Sequence, residues 1–340
     1  MRQRCFCSLV LATLFLAPIL IAAPEALRAH AHEGVVYTSD QTWSGNMTLD
    51  DDVSIASGAT LFIQPGTQIN VTEDITISIL GDLQIQGTLE SPVNIWGSWV
   101  AETSVQARWQ GFLLDSGSTS TVSHAIISDS RGGFDVESGA DLTIDSTFLA
   151  DSIIGVWNKG SLSGGGFECQ GATTSCLRVD GSTILNTVSS TASASAVHIS
   201  NGGIASIDLI HSNLDSDVLA LDGGSTFTGE IHAGGFTRMI RASDSVTATV
   251  TSVVTTPGET LVDASSLSGL NLVNGSSTNT TVSSILIGSI EDLDFSSVNY
   301  LCDGTTNCID AQINGELVLQ DSSFGQQNTA SDVFARFRGD

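Results

Sequence analysis

Five residues that could recognise a carbohydrate follow one repeat interval between positions 135 and 241, with the last after a double interval, namely Asp135, Trp157, Arg178, His198 and Arg241. An indole ring can stack on a sugar ring, and guanidinium or imidazole groups can bind the acidic groups of a polysaccharide. This spacing brings them together only if the chain repeats, with each residue at the same point of successive turns. The set is therefore the candidate ligand-binding face, and no catalytic residue is assigned.

The same face has a plainer interpretation. Two residues beyond these positions come Glu137, Lys159 and Asp180, whose charges alternate in sign. Opposite charges on neighbouring strands weakly stabilise a stack without any ligand. We favour this interpretation and keep the saccharide site as the alternative.

A repeated phrase supports the stacking of turns. Segments such as GFDVESGADLTI and AVHISNGGIASIDL each contain a short alternating strand, a turn of small residues and a second strand. Units of this length cannot bury their apolar side alone, so they must stack. Their apolar anchors are spaced by 20 to 25 residues and are Phe134, Val156, Leu177, Val197, Leu219, Ile240, Leu261, Ile285, Ile309 and Phe334.

The composition agrees with a β-solenoid. Aromatic residues make up only 6% of the chain, whereas 34 of the 340 residues are Gly, which is typical of many short turns between β-branched strands. Leucine-rich repeats are rejected because no LxxLxL phrase with a following Asn recurs. The sequence predicts an all-β, right-handed parallel β-helix over residues 32–340, with N-terminal coils at 32–132 and regular repeats at 133–340.

The N-terminus predicts export. Arg2 and Arg4 precede an apolar run, and Ala29-His30-Ala31 offers small residues before a cut, so residues 1–31 are interpreted as a signal peptide. We expect a secreted or cell-surface protein without a membrane span in the mature chain. The formal net charge of −26 excludes nucleic acid and anionic lipid as partners, because both require a basic face.

Four cysteines remain beyond the signal peptide, namely Cys169, Cys176, Cys302 and Cys308. The two pairs lie six coils apart, roughly 29 Å at about 4.8 Å per coil, whereas a disulfide needs Cα atoms within about 7 Å. We therefore predict two disulfides, Cys169 with Cys176 and Cys302 with Cys308. Metal ligation is not favoured, because neither pair is a CxxC and no His is near either pair.

The N-terminal third resembles a known family. The order of GATLFIQPGTQI and GDLQIQGTLESPVNIWG, followed by the Trp109-Gln110-Gly111 coil, is similar to the opening of secreted microbial β-helix proteins of the pectate-lyase-like superfamily. This resemblance implies the architecture and, for the enzymatic branch, polysaccharide lyase or glycoside hydrolase activity. A Gly-His-Gly turn and an Arg-x-Lys, which the pectinolytic branch carries, do not occur, and the Asp50-Asp51-Asp52 run is interpreted as a solvated turn.

These observations favour a non-enzymatic extracellular module with a structural or adhesive role at the cell surface, for which polysaccharide is the candidate ligand. The alternative is a polysaccharide lyase or glycoside hydrolase. A third class, a calcium-binding matrix protein, depends only on the acid excess. No cofactor is expected to be required, and Ca²⁺ is the ion that the acid excess would suit. The last repeat stops after its first strand, so we expect a further C-terminal region or a partner to cover the open end.

Overall fold

Two or three β-strands and the turns between them make up each repeat of the chain that the structure describes. The computed structural model describes residues 34–72, 74–98, 108–254, 260–264, 267–277, 284–296, 299–302, 309–326 and 335–339. Its parallel strands stack as a β-solenoid of about 11 turns, which confirms the predicted fold class. The described residues belong to one compact unit, Glu33–Asp340. The proposed signal peptide falls outside them and stays a prediction.

The solenoid has three faces, which we name A, B and C in the order in which the chain passes through them. Face A carries the predicted anchors, and each of its strands pairs in parallel with the equivalent strand of the next turn. Its strands are β1 (Val35–Tyr37), β4 (Val53–Ile55), β7 (Thr76–Ile79), β10 (Gly111–Leu114), β13 (Gly132–Val136), β16 (Ile154–Asn158), β18 (Ser175–Val179), β20 (Ser195–Ile199), β22 (Asp217–Leu221), β24 (Arg238–Ala242), β26 (Thr260–Ala264), the start of β28 (Ser284–Ser296), β30 (Ile309–Ile313) and β33 (Ala335–Gly339).

Faces B and C are separate strands at the two ends and are joined in the middle. Face B has β2 (Gln41–Trp43), β5 (Thr60–Ile63), β8 (Asp82–Gln86), β11 (Thr119–Ser123), β14 (Asp141–Asp145), the end of β28 and β31 (Leu317–Gln320). Face C has β3 (Asn46–Leu49), β6 (Gln68–Val71), β9 (Val93–Gly97), β12 (Ala125–Ser128), β15 (Thr147–Ala150), β29 (Asn299–Cys302) and β32 (Ser323–Gln326). Continuous strands bend from B to C in β17 (Ser161–Gln170), β19 (Ser182–Thr191), β21 (Ile204–Asn213), β23 (Thr226–Gly234), β25 (Val246–Val254) and β27 (Leu267–Ser277).

The core is a set of apolar ladders that run along the solenoid axis. Alternate residues of each strand point inward, and the parallel register places like side chains above one another. Leu61 stacks on Leu83, and Ile63 stacks on Ile85. All four are essentially inaccessible to solvent. Because the same alternation is written into every repeat, the core lengthens turn by turn without a separate hydrophobic centre.

An aromatic stack fills the core where the N-terminal coils meet the regular repeats. The rings of Phe112 and Phe134 are stacked, with centroids 5.3 Å apart, and the Trp109 ring meets Phe112 edge-on at 5.8 Å. The Trp109 indole nitrogen donates a hydrogen bond to the Ser128 carbonyl oxygen at 3.0 Å. The aromatic rings are therefore closely packed, and the one polar group among them, the buried indole N–H, has the hydrogen-bond partner that it requires.

The register confirms eight of the predicted anchors and corrects two. Ile240 pairs with Val262 rather than Leu261, and Ile309 pairs with Ala335, while Phe334 lies outside the described residues. In the face A strands of the regular repeats, the second and third residues are both buried. In β26 these residues are Leu261 and Val262. Hydrophobicity alone cannot choose between two adjacent buried residues, and this explains the error of one position.

The corner between faces C and A uses left-handed backbone at the same place in six successive turns. Two of these six positions are Gly, at which positive φ has little steric cost. Two others, Ala192 and Leu214, adopt φ of 55° and 60° with a side chain present. The six residues are Asp129, Asp151, Gly171, Ala192, Leu214 and Gly235.

Candidate functional site

The five candidate residues lie in one outward row of face A. Asp135 pairs with Trp157, Trp157 with Arg178 and Arg178 with His198. Arg241 follows two turns after His198, separated from it by Ala220, which is buried. The row continues to Asp263. The sequence prediction of a single column is therefore confirmed as geometry, whereas a ligand-binding role for that column stays a prediction.

Lys159 forms ion pairs with Asp135, the first residue of the row, and with Glu137, two residues further along the chain. Its Nζ lies 2.8 Å from Asp135 Oδ1 and 2.6 Å from Glu137 Oε1. Burial raises the pKa of Asp135 above its ordinary value, although the ammonium of Lys159 opposes the shift. Burial lowers the pKa of Lys159, but the hydrogen bonds that its ammonium donates to Asp135 and Glu137 outweigh burial, so the net shift of the pKa is upward. One ammonium thus serves two carboxylates from the neighbouring turn.

Trp157 is covered by cations from its own strand end and from the next turn. Lys159 Nζ lies 4.0 Å from the centroid of the ring, and Arg178 Cζ lies 4.5 Å from it. The indole nitrogen donates a hydrogen bond to Asp180 Oδ2 at 2.8 Å. These contacts use the ring surface that a sugar would need, so stacking of a sugar on Trp157 requires displacement of a cation.

Asp180 joins Arg178 to the following turn. Arg178 Nε lies 3.5 Å from Asp180 Oδ2, and the Ser200 hydroxyl donates to Asp180 Oδ1. Burial raises the pKa of Asp180, but the hydrogen bonds from Ser200 and Trp157 and the charge of Arg178 outweigh burial, so the pKa lies below its ordinary value. The carboxylate is therefore held ionised within the row.

His198 and Arg241 meet at a second carboxylate, Asp222. His198 Nε2 lies 2.8 Å from Asp222 Oδ2, and Arg241 Nη1 lies 3.4 Å from Asp222 Oδ1. The Ser243 hydroxyl donates to the same carboxylate. Burial raises the pKa of Asp222, yet the hydrogen bonds from Ser243 and His198 and the charge of Arg241 together lower it. One carboxylate of this chain thus engages two of the candidate residues.

Asp217 and Arg238 belong to the same network and were missed by the sequence analysis. Asp217 accepts hydrogen bonds from Arg238 Nε at 2.7 Å and from Arg241 Nε at 3.0 Å. Arg238 also lies 3.6 Å from Asp263. Both missed residues lie two positions before an anchor. Inspection of the position two residues before each anchor, in addition to the position after it, could have identified them. Their contacts extend the network to the turn that contains Asp263.

A depression lies on face A beside the start of this row. It has a volume of about 310 Å³ and lies between the turns of Asp135 and Trp157, with Arg131 at its rim. Asp135 borders it, but its partner Glu137 is held by the same Lys159. Hydrolysis of a glycosidic bond requires two carboxylates that can act separately. The ion pair leaves the two carboxylates tied to one cation.

The cysteines flank a corner, as the sequence predicts, but as free thiols. Cys169 in β17 and Cys176 in β18 are both buried and unbonded in the structure. Burial raises the pKa of the Cys176 thiol well above its ordinary value, and the neighbouring Cys169 adds to the shift. The Cys169–Cys176 disulfide therefore stays a prediction, which peptide mapping of the non-reduced protein checks. The Cys302 side chain and Cys308 lie outside the described residues.

Within the part of the chain that the structure describes, no group of three or more His, Cys, Asp or Glu side chains could hold a metal ion. In the same residues, no helix is long and apolar enough to cross a membrane. Comparison with known proteins adds no identity. No protein-family model matches the chain, and no curated protein is significantly similar to it in sequence.

Proposed function

We propose that the protein is an extracellular β-helix that serves as a structural or adhesive module at the cell surface, in the manner of the surface branch of the pectate-lyase-like superfamily. The observation that supports the proposal is the pairing of the charged side chains on face A with one another. Each charged residue of the candidate row is paired with a residue on its own or a neighbouring turn, from Asp135 to Asp263. Such a row holds turns together and leaves little chemistry for a substrate.

The sequence supports the cellular setting of this proposal. The basic and apolar start of the chain is typical of an exported protein, and the formal charge of −26 suits an exterior with abundant salt. A solenoid of about 11 turns also presents long, regular faces, which suits a spacer or an adhesive surface.

The location can be tested in the source cells with a tagged chain. We expect the full-length chain in the surface or medium fraction, cleaved near Ala31, and a variant without residues 2–31 in the cytoplasm. Cleavage is read by the N-terminal sequence of the purified protein. Recovery of the uncleaved full-length chain in the cytoplasm would contradict the proposal.

The second candidate is a polysaccharide lyase or glycoside hydrolase. The observation that favours it is the face A depression bordered by Asp135, whose pKa burial raises as a general acid would need. Release of unsaturated uronides and of reducing ends should be assayed on acidic and neutral polysaccharides, with and without Ca²⁺. We expect no release. Activity that is abolished by Arg178→Ala but retained by Arg338→Ala, an exposed arginine, would establish the enzyme instead.

A further inference from the structure

Face C carries a second set of polar residues that the face A network does not involve. Its central outward row runs Phe148, Glu168, Ser189, His211 and His232, each in register with the next. A parallel row on the same face runs Gln170, Thr191 and Asn213. At about 4.8 Å per turn, the central row spans roughly 19 Å along the axis.

Two depressions follow this row and meet at Ser189. The first lies along Phe148, Glu168 and Ser189, and the second along Ser189, His211 and His232, with a volume of about 360 Å³ each. Three consecutive glycines, 164–166, form the bend of β17 beside the first depression. A Cβ at Gly165 would lie 2.3 Å from the Asp145 carboxylate, so the absence of side chains there keeps the bend narrow. Shared lining makes the two depressions one shallow groove.

Several polar side chains of this groove have no partner within the described residues, whereas the charged side chains of the face A row are paired. In the described residues, His232 pairs with Glu230, and the ring of His211 meets that of His232 edge-on at 5.3 Å. No side-chain hydrogen bond or ion pair engages Glu168, Gln170 or Asn213 within the described chain, and all three are exposed. Hydroxyl, amide, carboxylate and imidazole groups therefore face solvent in register, where a ligand can use them.

The backbone pairing, charge and polar side chains of the groove indicate the class of ligand that it can bind. The backbone of face C is already used in parallel pairing with the turns on both sides, so a peptide cannot add there as an extra strand. The carboxylates of Glu168, Glu230 and Asp145 disfavour polyanions. An extended neutral polysaccharide matches the length, the repeated donors and acceptors, and the half-buried ring of Phe148 as a stacking surface.

We propose that the face C groove, from Phe148 to His232, binds an extended neutral polysaccharide. The proposal names a ligand class and a site for the surface module, and it rests on the proposed function only in assigning the ligand to the cell exterior. The proposed ligand site therefore lies on face C, where Glu168, Gln170 and Asn213 have no side-chain partner within the described residues, and not on face A, where the charged side chains are paired.

Affinity electrophoresis with soluble polysaccharides tests the proposal. The purified protein is run in gels that contain mixed-linkage β-glucan, arabinoxylan or galactomannan as neutral probes, or polygalacturonate as the acidic probe. We expect at least one neutral probe to retard the protein and polygalacturonate to have no effect. Phe148→Ala and Asn213→Ala should each weaken binding, by about tenfold for the lost stacking contact and less for the lost hydrogen bond.

Two further variants separate loss of binding from loss of folding. Ser189→Arg places a long side chain at the junction of the two depressions and should abolish retardation while the circular dichroism spectrum is unchanged. Trp157→Phe on face A should bind as the wild type does. No retardation by any neutral probe, retardation by polygalacturonate alone, or unchanged binding by Ser189→Arg would each overturn the proposal. Failure of export would overturn the proposed function but leave groove binding intact.

Discussion

Asp217 lies beneath two guanidinium groups and shows how one residue can connect two neighbouring strands of face A, β22 and β24. It is buried, and it contacts Arg238 and Arg241, which begin and end the outward side of β24. The hydrogen bonds that Arg238 donates to Asp217 raise the pKa of Arg238, and burial opposes them only in part. Because charge-assisted hydrogen bonds to a buried carboxylate are strong, removal of one partner costs more here than at the exposed pairs.

Asp217→Asn should lower the free energy of unfolding by about 2 kcal/mol, because it removes the closest counter-charge of two guanidinium groups. Urea unfolding followed by circular dichroism measures the change. Asp263→Asn is the matched control, since its carboxylate is half exposed and 3.6 Å from Arg238. The control should cost less than about 1 kcal/mol. Equal effects of the two substitutions would show that burial of Asp217 does not matter.

The pKa shifts of Asp180 and Asp222 predict a loss of stability in acid. Hydrogen bonds and neighbouring cations overcome burial and lower both values in the folded protein. The stabilisation is fully present above the unfolded value of about 3.9 and is lost as the pH falls through the lower folded values. Thermal unfolding at a series of pH values should therefore show a shallower decline for the Asp180→Asn, Asp222→Asn double variant. An unchanged slope would mean that other carboxylates control acid unfolding.

At the scale of the element, the turn from face C to face A depends on a backbone conformation that its side chains do not prefer. Leu214 adopts φ of 60° and is largely exposed. A left-handed conformation costs a residue with a Cβ about 1–2 kcal/mol relative to the right-handed one, whereas Asn tolerates it through local hydrogen bonding. The cost is accepted because the corner must repeat in register with the turns on both sides.

Leu214→Asn should raise the free energy of unfolding by about 0.5–1 kcal/mol, since it relieves the left-handed strain and removes little buried surface. Leu214→Ile is the control and should lower it, because a β-branched side chain is still less compatible with positive φ. The midpoints of thermal unfolding compare the three proteins. A midpoint for Leu214→Asn below that of the wild type would show that the Leu214 side chain packs in a way that outweighs the strain.

At the scale of the whole molecule, acidic residues exceed basic residues by 26. The face A pairs use much of the small supply of cations, so the carboxylates elsewhere repel one another. Self-repulsion of this kind is screened when the Debye length falls from about 30 Å at 0.01 M salt to about 8 Å at 0.15 M. Salt should therefore stabilise the folded solenoid.

The melting temperature should rise when NaCl is increased from about 0.01 M to about 0.15 M, because screening of the acid excess outweighs the weakening of exposed ion pairs. Differential scanning calorimetry at the two salt concentrations measures the shift. Choline chloride serves as a control for specific sodium binding and should give the same rise. A lower melting temperature in salt would mean that the face A pairs dominate the electrostatics.

Sequence alone determined the architecture and most of its register. The alternation within each strand and the near-constant spacing of anchors such as Phe134 and Val156 are local properties, so they can be read without a structure. The same period placed Trp157 and Arg178 in one column. It could not distinguish Leu261 from Val262 as the anchor, because both are buried and only the hydrogen-bonded register separates them.

Tertiary structure decided what the column does. Whether Trp157 faces a sugar or lies against Lys159 and Arg178 depends on side-chain conformations across turns, which no spacing encodes. The groove on face C was also beyond the sequence analysis, because the bends of β17 and β19 lie between the anchor and the row of Glu168 and Ser189. The number of residues from the anchor to this row differs between repeats, as from Leu177 to Ser189 and from Val197 to His211. The phase of the row, its concavity and its unpaired groups therefore become visible only when the turns are stacked.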